Sequence, residues 1–208
     1  MLLIRIVGNI ASGKTTLKEK LFSMAGVAFQ KIDEPVEDNP VLPLFYANQR
    51  KYSYPLQTYM QGHLYFALRS VWSVLEKKAV IITDHGLSQA FARVLREENK
   101  LDHWQYQALE KEQRILTAGM KEIARIKFIY LDAPPEECLK RLCIRNRDIE
   151  KNIPVSYLKK LHEQHERILG REKVLGKENE IIRLSEMGED GIIKIIHRWV
   201  EEEKALWL

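Results

Sequence analysis

Ten residues near the start of the chain, Val7-Gly8-Asn9-Ile10-Ala11-Ser12-Gly13-Lys14-Thr15-Thr16, limit what the rest can become. They fit G-x-x-x-x-G-K-[ST], a loop whose successive backbone N–H groups surround a phosphate. The pattern carries weight only between a strand and a helix, and both flanks are present. Residues 2–7 form an apolar run suited to a buried strand, and residues 14–24 are rich in helix formers. The glycines let the backbone turn its N–H groups toward one anion. The helix N-terminus adds partial positive charge. In this setting the loop from Gly8 to Thr16 would bind the phosphates of ATP, with Lys14 at the β and γ phosphates and the Thr15 hydroxyl on Mg²⁺.

Further apolar runs at residues 27–32, 79–83, 127–131 and 180–184 are separated by helix-length stretches. This alternation predicts an α/β fold with a five-stranded parallel sheet flanked by helices. The 208 residues suffice for one domain, residues 1–208, with a sizeable core. The net charge of +4 suits an anionic ligand, but basic and acidic residues are interspersed, which argues against a nucleic acid polymer as partner. No apolar run approaches the roughly 20 residues that a membrane span needs. The first strand begins at Leu2 and leaves no room for a signal peptide. Cys138 and Cys143 fall in one predicted helix and read as core-facing thiols. A disulfide framework is excluded on that reading, and a cytoplasmic setting is expected.

Ligands of such sheets lie beyond the carboxyl ends of the strands. After the loop, that rule selects Asp33-Glu34-Pro35, Asp84-His85-Gly86 and Asp132-Ala133-Pro134-Pro135, whose carboxylates are expected to converge on the phosphate loop. Glu34 could accept the proton of an attacking hydroxyl, or be a solvated turn acid. Asp84 could serve Mg²⁺ or cap the helix expected over residues 87–98; the two intervening residues favour the metal. Residues 52–64 mix aromatics and amides at helical spacing, which reads first as core packing. Gln57 stands out there, because its amide can meet a nucleobase edge with two hydrogen bonds. Arg141 and Arg145 share a helix face and Arg147 follows. They read either as a solvated basic helix or as a lid that closes over a phosphoryl group in transfer. A helix is expected over residues 155–169, with Leu158, Leu161, His165, Ile168 and Leu169 near one face. His162-Glu163-Gln164-His165 misses the H-E-x-x-H zinc spacing and reads as a solvated helix surface. Residues 191–206 read as an amphipathic closing helix, with Trp199 and Trp207 as packing residues.

Several of these segments, in this order, resemble the deoxynucleoside kinase family. They are the loop from Gly8 to Thr15, Asp33-Glu34-Pro35-Val36, Leu56-Gln57-Thr58-Tyr59, Leu131-Asp132-Ala133-Pro134-Pro135-Glu136, and Ile153-Pro154 followed by Tyr157-Leu158 and Leu161-His162. The resemblance implies a P-loop kinase with an arginine-bearing lid. It implies Glu34 as the base for the nucleoside 5′-hydroxyl and Gln57 as the residue that pairs with the nucleobase. It implies Tyr46 and Glu150 at the sugar 3′-hydroxyl, and Arg141, Arg145 and Arg147 as lid arginines. A homodimer is implied as well. The third strand departs from the family's acid-Arg-Ser ending: His85 takes the arginine's place beside the acceptor. Ala90 or a neighbour would face the base, with Phe91 as the stacking aromatic. Leu64, at a position where several members carry arginine, would leave room for a pyrimidine such as thymine.

The expected activity is ATP-dependent transfer of a phosphoryl group to the 5′-hydroxyl of a deoxynucleoside. Two rivals remain. One is a nucleoside monophosphate kinase of the thymidylate type, although Glu34 would repel a substrate dianion. The other is a nucleotide-binding subunit that regulates a partner kinase.

Overall fold

The computed structural model describes residues 1–23, 29–36, 38–74, 79–175 and 181–207. The described residues form five strands: β1 (Leu2–Gly8), β2 (Phe29–Ile32), β3 (Val80–Thr83), β4 (Arg125–Leu131) and β5 (Ile181–Arg183). All neighbours are parallel, in the order β2-β3-β1-β4-β5. The helices are α1 (Lys14–Phe22), α2 (Leu42–Ala47), α3 (Gln49–Val74), α4 (Ser88–Glu97), α5 (His103–Ile123), α6 (Pro135–Arg145), α7 (Val155–Leu175) and α8 (Leu184–Ala205). The expected alternation is present in full. Met24, Val27, Ala28 and Glu180, which the sequence reading placed in elements, lie outside the described residues.

Every residue of β1 is buried, because helices cover both faces of the sheet. Leu2, Ile4 and Ile6 pack with Leu17 and Leu21 of α1 and Ile192, Ile196 and Trp199 of α8. Leu3 and Val7 pack on the other face with Leu64 and Leu68 of α3, Met120 and Ile123 of α5 and Ile168 of α7. The side-chain period of two divides one apolar run between two cores. The fourth residue of that run is a charged exception, Arg5, which is also buried.

Local chemistry sets the helix ends. Asp102 and Gln105 form a reciprocal capping box at the start of α5. Asn146 takes the left-handed conformation that ends α6. The closing helix begins earlier than its apolar pattern suggests, at Leu184, and is interrupted at Gly188, where φ is 65°.

Three expectations are corrected. Cys138 is buried, but Cys143 is exposed, since it lies on the outer face of α6. Gln164 and His165 are buried, so residues 162–165 do not form a uniformly solvated surface. The His165 ring stacks on Tyr130 of β4, and its Nδ1 is 2.7 Å from Leu161 O. Asp132 does not join the phosphate loop: it accepts the Ser185 N–H at 3.1 Å and the Ser185 hydroxyl, tying β4 to the start of α8. No helix among the described residues is long and apolar enough to cross a membrane.

Candidate active site

The phosphate loop joins β1 to α1 through backbone that few side chains tolerate. Gly8 has φ 152° and Gly13 has φ 100°, and Ala11 is left-handed at 58°. A Cβ at Gly8 would lie 2.6 Å from Leu131 O and 2.8 Å from Ser12 Oγ, so the close approach of β4 demands glycine. Asn9 anchors the loop: its Oδ1 accepts the Ile10 N–H, and its Nδ2 donates to Leu158 O of α7 at 2.8 Å. The Lys14 ammonium folds back over the loop and donates to Asn9 O at 2.7 Å and Gly8 O at 3.3 Å. Burial holds the Lys14 pKa below its ordinary value, against the pull of Glu34 and Asp84.

The ends of β2 and β3 bring two acids to this loop. Asp84 is buried with both oxygens engaged. Thr15 Oγ1 donates to its Oδ2 at 2.7 Å, Lys18 Nζ to its Oδ1 at 2.7 Å, and the Glu34 N–H to the same Oδ1 at 3.3 Å. Burial works to raise the Asp84 pKa, but the Lys18 and Thr15 hydrogen bonds outweigh it and hold the carboxyl below its ordinary value. Lys18 also reaches Asp33. Glu34 is in the opposite condition. Desolvation pushes its pKa up, and its Oε1 accepts a 3.3 Å hydrogen bond from the Gly86 N–H.

Glu34 and the loop from Ile10 to Thr16 line one cavity of about 780 Å³. Gln57, Tyr46, Phe91, Glu150, Arg141 and Arg145 are also on its wall. Gln57 is 4% exposed, and its Oε1 has no hydrogen-bond partner among the described residues. Burial, followed by the Glu150 carboxylate, pushes the Tyr46 phenol pKa up. Arg141 bridges the α6 helix to the loop, donating to Ser12 O at 3.0 Å. Arg145 pairs with Glu150, and Arg147 Nη1 lies 3.8 Å from the same carboxylate. Arg145, Arg147 and Glu150 therefore form one linked group, while Arg141 pairs with Glu137 of its own helix. Arg147 itself is not on the cavity wall.

Two sequence expectations, on His85 and Leu64, fall elsewhere, and the open choice on α4 is resolved. The His85 ring does not line the cavity: it is 1% exposed and stacks on His63 of α3, with the nearer ring nitrogens 3.3 Å apart. Burial and the nearby Arg5 charge push its pKa down to about 3, so it carries no charge toward the site. Leu64 is in the core and off the cavity wall, which removes the argument for thymine. Ala90 is fully buried, and Ser88 and Phe91 face the cavity instead, fixing the register of α4.

Sequence reasoning missed three charged or titratable groups next to the site: Arg5, Lys18 and His63. A charge inside the apolar run of β1 was the available signal for Arg5. Lys18, one helical turn after Lys14, shares its face and so points back toward the strand ends.

Strand order, phosphate loop and the arginine-bearing α6 helix over it are those of a P-loop kinase. Comparison with known proteins narrows the class. The sequence model of deoxynucleoside kinases matches residues 4–198, and the chain belongs to the deoxynucleoside kinase family. It is 34% identical over 164 residues to deoxyguanosine kinase of Bacillus subtilis, covering 78% of this chain and 76% of that protein. It is 28% identical over 195 residues to deoxyguanosine kinase of Dictyostelium discoideum, covering 92% and 67%. The fold matches deoxyadenosine kinase from M. mycoides solved with bound dCTP, with a TM-score of 0.75 at 21% identity over 97% of this chain and 100% of that one. The chain is a phosphotransferase that acts on deoxynucleosides with a nucleotide as phosphate donor. Neither rival reading is favoured by these matches.

Proposed function

We propose that the chain transfers the γ-phosphoryl group of ATP to the 5′-hydroxyl of a deoxynucleoside within the one cavity. The observation that carries this reading is the shared wall. Glu34, a carboxylate of raised pKa, faces the same space as the phosphate loop and the buried, unpartnered amide oxygen of Gln57. In this reading Gln57 holds the nucleobase, and Tyr46 and Glu150 hold the sugar 3′-hydroxyl. Glu34 accepts the 5′-hydroxyl proton as the oxygen attacks phosphorus. The loop N–H groups and Lys14 hold the β and γ phosphates. Arg141 and Arg145 meet the charge that grows on the transferring group, and Arg147 steadies Glu150. Transfer is direct, because positioning and charge stabilisation supply most of the catalysis in this chemistry.

Mg²⁺ keeps several waters and takes only one or two protein oxygens beside substrate phosphates. Thr15 Oγ1 and Asp84 Oδ2 are 2.7 Å apart and fit that donor set. When bound, Mg²⁺ would neutralise charge on the β and γ phosphates.

We further assign the chain to one domain, a homodimer and the cytoplasm. Phe66 on α3 and Ile115 on α5 are 68% and 63% exposed, and their apolar surface supports the dimer. The two free cysteines accord with a reducing compartment.

The test of the reading is Glu34→Ala. Its kcat falls at least about 100-fold, the scale of a general base, while the KM for ATP changes little. A near wild-type kcat removes Glu34 as the base.

A further inference from the structure

Arg5 is a cation in the middle of a buried strand. It lies on the β1 face shared with Leu3 and Val7, its guanidinium 5.6 Å from the centre of the Phe128 ring. No carboxylate among the described residues forms an ion pair with it. A buried guanidinium in that position costs folding free energy. What it donates to is therefore informative.

Its Nη2 donates to two carbonyls of the turn after β3, Gly86 O at 3.2 Å and His85 O at 3.4 Å. The His85 carbonyl and the Gly86 N–H belong to one peptide unit. That N–H donates to Glu34 Oε1 at 3.3 Å. One peptide plane thus carries a guanidinium at its oxygen and the Glu34 carboxylate at its hydrogen. Donation at the oxygen polarises the unit and strengthens the N–H as a donor. It also fixes the rotation of the plane, which glycine leaves soft. A Cβ at Gly86 would lie 3.4 Å from Glu34 Oε1 and 3.3 Å from the Phe91 ring, so the turn approaches the carboxylate closely.

We propose that Arg5 is a positioning residue for Glu34: it holds the 85–86 peptide with its N–H toward the cavity and so fixes how the carboxylate faces the acceptor hydroxyl. The inference rests on the role proposed for Glu34.

The test is a double-mutant cycle of wild type, Arg5→Met, Glu34→Ala and the double variant. The readouts are kcat at saturating ATP and deoxynucleoside, both KM values and melting temperature. Arg5→Met lowers kcat about tenfold, or about 1.4 kcal/mol, with both KM values nearly unchanged. Its melting temperature holds or rises, because methionine fills the space without a buried charge. In the Glu34→Ala background the same change costs less than about twofold, since its effect passes through the missing carboxylate. Arg5→Leu, which likewise removes the donor, gives the same pattern and replaces the methionine variant if that one does not fold. Equal losses in both backgrounds, a loss confined to KM, or no loss overturns the positioning role and leaves Glu34 as base untouched. A near wild-type kcat for Glu34→Ala alone overturns the base reading, and the inference with it.

Discussion

Replacing Lys18 by methionine removes the cation that stands between Asp84 and Asp33. The Lys18 side chain is 2% exposed and that of Asp84 is 4%, whereas the Asp33 side chain is 59% exposed. The Asp33 contact, screened by water, contributes at most about 1 kcal/mol. The Asp84 contact decides the outcome. Removing one member of a buried pair costs roughly 3–5 kcal/mol. Asp84 keeps its Thr15 and Glu34 donors, so the lower end, about 3 kcal/mol, is expected. For a chain of this size that corresponds to a fall of about 6–12 °C in melting temperature. The pH window follows from both partners. The Asp84 pKa lies below its ordinary value, so its contribution is present above that value and is lost as pH falls through the folded pKa. The Lys18 pKa is opposed by burial but raised by its acid partners, so its contribution is present below its ordinary value and is lost as pH rises through the folded pKa. The deficit of Lys18→Met is then full between about pH 4 and pH 10 and shrinks outside that window. Calorimetric melts of both proteins from pH 3 to pH 9 measure it. A deficit under about 2 °C at pH 7, or one that stays full-sized at pH 3, refutes the charge-pair account.

Gly8→Ala puts a methyl 2.6 Å from Leu131 O at a φ of +152°. It is expected to weaken ATP binding at least about tenfold by calorimetric titration, because the loop loses its N–H array. His85 is expected to stay neutral across the physiological range, with its pKa near 3. A nitrogen-15 NMR titration that finds a His85 transition above pH 5 contradicts the buried pair with His63. Gln57→Ala is expected to change the ranking of accepted nucleosides by about tenfold or more in kcat/KM, since a buried amide is lost from the cavity wall proposed to hold the base. An unchanged ranking in a substrate panel counts against base reading.

The phosphate loop, the strand ends and the order of elements were legible because each rests on local sequence: turn chemistry, apolar period or a strand followed by an acid. The direction of a side chain after a strand was not legible. His85 follows Asp84 directly, yet the pleat and the approach of His63 on α3 turn it away from the cavity. Asp132 ends its strand as Asp84 does, but β5 and Ser185 beside it claim the carboxylate. Leu64 sits on the same helix as Gln57 and Met60, and α5 and the sheet cover it. Arg5 and Lys18 were hidden for a related reason. Each was read as a member of its own strand or helix, while its partners lie about 80 and 66 residues away. The extra turn at the start of the closing helix escaped notice because Gly188 breaks its pattern.

The central claim is tested most directly by following ADP release from Mg·ATP with four deoxynucleosides, four ribonucleosides and thymidine monophosphate, with the product position read by phosphorus-31 NMR. Turnover is expected with at least one deoxynucleoside, giving a 5′-monophosphate, and none with thymidine monophosphate. Turnover of the monophosphate alone, or phosphate at the 3′ position, contradicts that claim.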